Sequence, residues 1–161
     1  MEPLEPPALH QAQAAYGWLE LGNVEEAFAE LERLPEELQL LPAVQAVRLD
    51  CLMAAKDWNA AVKLAQVLCG QWAEEPGLWL HHAYAARRCA GGSIEAAYEL
   101  LAPCVERFPE EWLIPYNVAC YLCQMERLDE ARAMLEMARS KGGERVDTMA
   151  KDDEDLAPLN L

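Results

Sequence analysis

The sequence predicts an all-α protein, a row of four helical hairpins followed by a C-terminal capping segment. Its 161 residues contain four similar short stretches, each with a polar residue, a large apolar residue, two mostly polar residues and an alanine. These alanines, separated by 34, 36 and 34 residues, are Ala27, Ala61, Ala97 and Ala131. A period of this length indicates a repeat protein, and no stretch has the features typical of a β-strand.

Each alanine is predicted to lie in the second helix of a hairpin. Four residues after each alanine stands another apolar residue, and this spacing places both side chains on one face of an α-helix; these residues are Leu31, Ala65, Leu101 and Leu135. The first helices are predicted at residues 11–21, 43–55, 78–90 and 113–125, where apolar residues also have helical spacing. Pro42 and Pro76 stand where two of them begin, a position that tolerates proline because the first N–H groups of a helix have no partner within it.

A helix-turn-helix repeat of 34 residues with these small residues resembles the tetratricopeptide repeat (TPR) family. The four alanines match the family's small residue at the point where the two helices of a hairpin touch. Its second small position, about twelve residues earlier, is matched by Ala15, Ala83 and Ala119. Trp79 and Pro109 fall on the family's tryptophan and closing proline, whereas Leu49 departs from the pattern, so we expect the second hairpin to pack slightly wider. The resemblance implies a right-handed superhelix whose first helices line a concave groove.

The resemblance also sets the expected organisation of the chain. We expect an N-terminal tail at residues 1–7, four repeats at about residues 8–41, 42–75, 76–111 and 112–139, and a capping segment and tail at residues 140–161. A stack of repeats must cover the apolar face of its last member. The apolar residues available for this are Val146, Met149, Ala150 and Leu156. The ending, acidic residues followed by Leu-Ala-Pro-Leu, is similar to that of bacterial TPR proteins and implies a bacterial source.

The charge of the chain argues against several classes of partner. Its 28 acidic and 13 basic residues give a net charge of -15, which repels phosphate backbones and anionic lipid, so we expect neither nucleic acid nor a membrane as partner. No apolar run reaches the roughly 18 residues of a membrane span. The N-terminal residues lack the basic and apolar regions of a signal peptide. These features predict a cytoplasmic protein with reduced cysteines.

Residues with catalytic or metal-binding chemistry are few. Cys120 and Cys123 form a C-x-x-C pair, but it lies within a helical pattern and has no second pair to complete a zinc site, so we interpret both as packing residues. His81 and His82 are adjacent and point about 100° apart on a helix, so they cannot chelate one metal together. Glutamate pairs near helix starts complement the helix dipole. We therefore predict no enzyme, no metal site and no cofactor.

The candidate binding residues lie on the predicted inner face of the first helices. Helical phase places there Tyr16, Asp50, Met53, His81, Tyr84, Arg87, Arg88, Tyr116 and Asn117. Some TPR domains hold a C-terminal carboxylate with a clamp of lysine, arginine and asparagine on this face. Only Asn117 and the two arginines are comparable here, and Asp50 would repel a carboxylate, so we predict that the clamp is missing.

The leading hypothesis is a non-catalytic protein-interaction module that binds a peptide or helix of another protein in this groove, as a monomer or weak homo-oligomer. Two alternatives stay open. One is a chaperone similar to those of type III secretion, which are also small, acidic TPR proteins. The other is a structural protein that associates with itself. Partner identity does not follow from the sequence.

Overall fold

The computed structural model describes residues 3–160 and is 75% helical. Among them are 11 α-helices and one 3-10 helix, with no strand. The helices are α1 (Ala8–Glu20), α2 (Val24–Glu32), α3 (Glu36–Gln39), α4 (Pro42–Ala54), α5 (Trp58–Gln71), α6 (Pro76–Arg88), α7 (Ile94–Leu101), α8 (Cys104–Arg107), α9 (Leu113–Gln124), α10 (Leu128–Gly142), α11 (Glu144–Ala150) and the 3-10 helix (Glu154–Leu159). The prediction of an all-α helical-repeat protein is confirmed.

The four predicted hairpins correspond to successive pairs of these helices. The first helices are α1, α4, α6 and α9, and the second helices are α2, α5, α7 and α10. The repeated alanines are fully buried, as is the residue at the second small position of each repeat; these residues are Ala15, Ala27, Leu49, Ala61, Ala83, Ala97, Ala119 and Ala131. Small side chains at these positions let the backbones of neighbouring helices approach closely.

Local sequence determines where the hairpins turn. Two or three residues beyond the end of each first helix stands a residue with a positive φ: Gly22 (74°), Lys56 (57°), Gly91 (76°) and Glu126 (60°). This left-handed conformation ends a helix and reverses the chain. The second helices of the first three hairpins then begin at a polar N-cap. The side-chain oxygens of Asn23, Asp57 and Ser93 each accept a hydrogen bond from the backbone N–H three residues later. Such caps satisfy N–H groups that have no partner within the helix.

The chain divides into two compact units, residues 1–81 and residues 82–161. In the first unit, α1 and α2 pack against each other and against α4, and α4 packs on α5. The core of these contacts consists of small and aliphatic side chains, namely Ala8, Ala12, Ala15, Ala27, Leu31, Leu34, Val44, Val47 and Cys51. Leu4, which precedes α1, packs partly buried against this core.

In the second unit, α9 is the central helix. It contacts α7, α8, α10 and the C-terminal 3-10 helix, and nine of its twelve residues are buried. Burial on nearly every side explains why α9 is apolar around its circumference, unlike a surface helix with one apolar stripe. Gly142, at the end of α10, lies against Trp112, where an added Cβ would approach the indole to 2.9 Å.

Two features of the second unit differ from the sequence pattern. The second helix of the third hairpin is interrupted at Pro103, which separates α7 from α8, because proline lacks the N–H that a continuous helix needs. Met149, one of the residues expected to cover the last repeat, is 45% exposed, whereas Val146, Ala150 and Leu156 are buried. None of the helices within residues 3–160 has the length and apolar character needed to cross a bilayer.

Candidate functional site

The candidate binding residues fall into two groups, one in each unit. The unit 1 site comprises Tyr16 on α1, Asp50 and Met53 on α4, and His81 on α6. The unit 2 site comprises Tyr84, Arg87 and Arg88 on α6 with Tyr116 and Asn117 on α9.

In the unit 1 site, Asp50 links three first helices. The Tyr16 hydroxyl donates a hydrogen bond of 2.8 Å to Asp50 Oδ2, and His81 Nδ1 lies 3.6 Å from Asp50 Oδ1. Tyr16 and Asp50 are 34 residues apart, one repeat, so equivalent positions of neighbouring repeats meet. Partial burial and the hydrogen bond to Asp50 raise the pKa of Tyr16, so its hydroxyl remains a donor at neutral pH.

A small hollow of about 170 Å³ lies beside Asp50. Its apolar wall comes from Ala46 and Leu78, and its polar wall from Asp50, Glu75 and His81. Close by, the Tyr16 side chain is 45% exposed. The unit 1 site therefore combines an exposed aromatic ring with a hollow that has two carboxylates on its wall.

The unit 2 site is occupied by the C-terminal end of the chain. We call residues 153–159 the tail segment. Arg87 forms a bidentate ion pair with Asp155, with Nη1–Oδ2 at 2.5 Å and Nη2–Oδ1 at 2.9 Å. The Tyr116 hydroxyl donates to Asp153 Oδ2 at 2.7 Å. A planar guanidinium that meets a carboxylate through two parallel hydrogen bonds is among the stronger and more directional polar contacts in proteins.

Further contacts hold the tail segment on α9. The Gln124 side-chain amide donates to the Asp155 carbonyl oxygen at 3.1 Å, and Cys120 Sγ lies 3.6 Å from Asp153 Oδ2. Leu156 and Leu159 are 1% and 5% exposed. Burial, together with the hydrogen bond to Asp153, raises the pKa of Tyr116, which keeps its hydroxyl protonated. The tail segment is thus bound through two carboxylates, and the 3-10 helix that carries its two buried leucines contacts α9 and α10.

The other predicted residues of the unit 2 site have local partners. The Arg88 guanidinium lies 3.5 Å from the centre of the Tyr84 ring, a cation–π contact. The Asn117 amide donates to the Leu113 carbonyl of its own helix at 2.8 Å. Both contacts connect residues one turn apart on the same helix, and neither involves the tail segment.

Comparison with known proteins identifies the fold. No family model matches the sequence, and no curated protein matches it. The solved structure of MamA MSR-1 C2, a TPR-containing protein, superposes with a TM-score of 0.64 at 13% sequence identity, covering 97% of this chain and 94% of that one. The chain has a TPR-like fold. At this identity the likeness establishes the fold alone.

Within the TPR-like fold, sequence reasoning placed Arg87 and Tyr116 in an open groove, but the tail segment covers both. The repeat pattern did not indicate Asp153 and Asp155 as their partners, because both lie outside the four repeats. One signal for this contact is present in the sequence. Leu156 and Leu159 follow the acidic run three residues apart, which is the spacing of a short helix with one buried face.

A second hollow, of about 480 Å³, lies on the second-helix side of the TPR-like hairpins in unit 2. It opens where Pro103 interrupts the helix, and Met134 and Met137 of α10 form part of its wall. Sequence analysis missed it because the break at Pro103 is not part of the repeat pattern.

Five of the six cysteines are buried, and Cys89 is partly exposed. All six are free thiols, and Cys120 and Cys123 of the C-x-x-C pair are 4% and 2% exposed. Burial raises the pKa of both thiols, and nearby Asp153 and Asp155 add to the effect at Cys120. A reactive thiol requires a lowered pKa, so this pair is suited to packing. Within residues 3–160 no three His, Cys, Asp or Glu side chains are grouped to hold a metal ion.

Proposed function

We propose that the protein is a non-catalytic protein-interaction module that binds a peptide or helical segment of a partner on the faces of its first helices. One observation carries this proposal: the unit 2 site holds a polypeptide segment, the chain's own tail. It does so with an ion pair, a phenol hydrogen bond and two buried leucines. A face that combines directional polar contacts with apolar pockets is what a peptide-binding surface requires.

The unit 1 site is the first surface proposed for a partner. Tyr16 presents nearly half of its side chain to solvent. An aromatic ring supplies a large apolar contact at low entropic cost, and the hollow with Asp50 and Glu75 favours a basic group. The partner segment therefore carries an apolar residue next to a lysine or arginine.

The roles of the hydroxyl groups support a non-catalytic function. The chain has two serines and one threonine. Ser93 Oγ caps α7, Ser140 Oγ donates to the Met137 carbonyl, and Thr148 Oγ1 donates to the Glu144 carbonyl. Each of these three hydroxyls is used in local helix structure.

Affinity capture from the native cell with the Tyr16→Ala/Met53→Ala double variant tests this proposal. Loss of these side chains removes the apolar part of the unit 1 site, so we expect partner recovery to fall by about tenfold, equivalent to about 1.4 kcal/mol. The matched control is Val67→Ala, which removes a 54% exposed apolar side chain from second helix α5. Unchanged recovery with a variant that melts like the wild type would refute binding at this site.

A further inference from the structure

The tail segment shows in detail what the unit 2 site recognises. Arg87 selects the Asp155 carboxylate, and the Tyr116 hydroxyl selects the Asp153 carboxylate two residues earlier. The side chains of Arg87 and Asp155 are 19% and 28% exposed, so this ion pair is largely shielded from water and is stronger than one on the open surface. Leu156 follows at once and Leu159 three residues later, both buried.

The position of Arg87 is stabilised independently of the tail segment. Its guanidinium lies 5.8 Å from the centre of the Tyr121 ring, and Tyr121 is 1% exposed. The hydroxyl of Tyr121 has no hydrogen-bond partner among residues 3–160. The site is therefore formed by α6 and α9, and the tail segment supplies only the occupant.

The tail segment is separable from the capping helix that precedes it. α11 packs on α10 through Val146 and Ala150, which are buried. Lys151 and Asp152, between α11 and the tail segment, are exposed. A hollow of about 310 Å³ lies among residues 150–160. The 3-10 geometry of the tail segment makes weaker hydrogen bonds than an α-helix.

We propose that the unit 2 site is a docking site for an acidic, leucine-bearing segment of a partner protein, with the pattern Asp-x-Asp-Leu-x-x-Leu, and that the chain's own tail segment competes for it. This inference rests on the proposed function and specifies its second surface. A basic segment does not fit, because Arg87 would face a like charge. The tail segment is covalently linked to the site, so its effective concentration there is about millimolar. A partner therefore binds only when its additional contacts outweigh this advantage of the tail segment.

A separate protein is favoured over a second copy of this chain as the occupant of the unit 2 site. The tail of a second copy offers only the contacts that the chain's own tail already makes, and it lacks the advantage of the covalent link. Exchange of tail segments between two copies therefore adds no contact. A partner that carries the same pattern within a longer binding segment gains contacts outside the site.

Binding of a labelled peptide with the sequence of residues 151–161 tests this inference. Fluorescence anisotropy compares the full-length wild type with the Asp153→Ala/Asp155→Ala variant, whose own tail has lost both carboxylates. We expect the peptide to bind this opened variant at least about tenfold more tightly. Adding Arg87→Ala to the opened variant should weaken binding by about tenfold or more. The matched control, Arg132→Ala, removes an exposed arginine of α10 and should leave binding unchanged.

Three results would overturn the inference: equal affinity of the wild type and the opened variant, binding that survives Arg87→Ala, or equal binding of a peptide with both aspartates replaced by alanine. A wild-type dimer that disappears with Arg87→Ala would assign the site to a second copy instead. The isosteric variant Asp155→Asn is measured in parallel, so that a result is obtained even if the double variant unfolds. Failure here leaves the proposed function intact, because its own test changes only Tyr16 and Met53 in the other unit.

Discussion

At the scale of the residue, a few polar side chains are buried among alanines and leucines. His82 is 8% exposed, and its Nδ1 has no hydrogen-bond partner among residues 3–160. The adjacent His81 contacts Asp50 and is partly exposed. The sequence indicated that the two rings point in different directions. It did not indicate which ring is buried, because the many alanines of this helix do not define which of its sides faces the core.

The burial of His82 predicts a specific dependence of stability on pH. Burial lowers its pKa below the ordinary value of 6.5, so below that pH the unfolded chain takes up a proton that the folded chain resists. The free energy of unfolding therefore falls as the pH decreases from about 6.5 towards the lowered pKa. Urea unfolding at about pH 7.5 and about pH 5.5 should show a larger loss for the wild type than for His82→Gln.

The exposed His10 provides the control for this measurement. His10→Gln should lose as much stability as the wild type over the same interval, because His10 is exposed and its replacement leaves His82 in place. Equal losses in the wild type and His82→Gln would show that His82 does not contribute to the pH dependence.

At the scale of the element, the turns between paired helices explain the regular repeat. Each first helix is followed by a residue with a positive φ, namely Gly22, Lys56, Gly91 or Glu126. Two repeats use glycine, which adopts this conformation freely, and two use residues with a side chain, for which it costs energy. The predicted first helices end at residues 21, 55, 90 and 125, one residue before each of these positions, although only the glycines and the following polar caps carry a local signal.

Replacement of turn glycine Gly22 by alanine should destabilise the protein. An added Cβ at Gly22 meets no atom within 4 Å, so the cost is conformational, about 1–2 kcal/mol for a left-handed residue. Gly70→Ala is the matched control, since Gly70 lies within α5 with equally open space. It should raise the free energy of unfolding by about 0.5–1 kcal/mol. Chemical denaturation measures both, and effects of equal sign would contradict the role assigned to the turn.

At the scale of the whole molecule, the excess of acidic residues is the dominant electrostatic feature. The net charge is -15, and several arginines pair with a carboxylate three residues away on the same helix; examples are Arg127–Glu130, Arg132–Asp129 and Arg139–Glu136. Exposed pairs of this kind contribute little to stability. Repulsion among the remaining carboxylates opposes folding, because folding brings them closer together.

Added salt should therefore stabilise the protein. Raising NaCl from about 20 to about 300 mM shortens the screening length and weakens this repulsion more than it weakens the few ion pairs. We expect the thermal midpoint to rise by a few degrees, measured by circular dichroism at constant pH. A falling midpoint would mean that ion pairs, above all the shielded Arg87–Asp155 pair, outweigh the general repulsion.

The sequence by itself determined the helical hairpins of this protein and the positions at which they turn. Helical spacing, buried alanines, caps and prolines act within a few residues of each other, so their effects can be inferred from a local pattern. The contacts of Arg87 and Tyr116 depended on the tertiary structure. Their partners, Asp155 and Asp153, are 68 and 37 residues away, and no repeat relates them. Only the tertiary structure, in which the tail segment packs on α9, shows that these two predicted groove residues bind the chain's own tail.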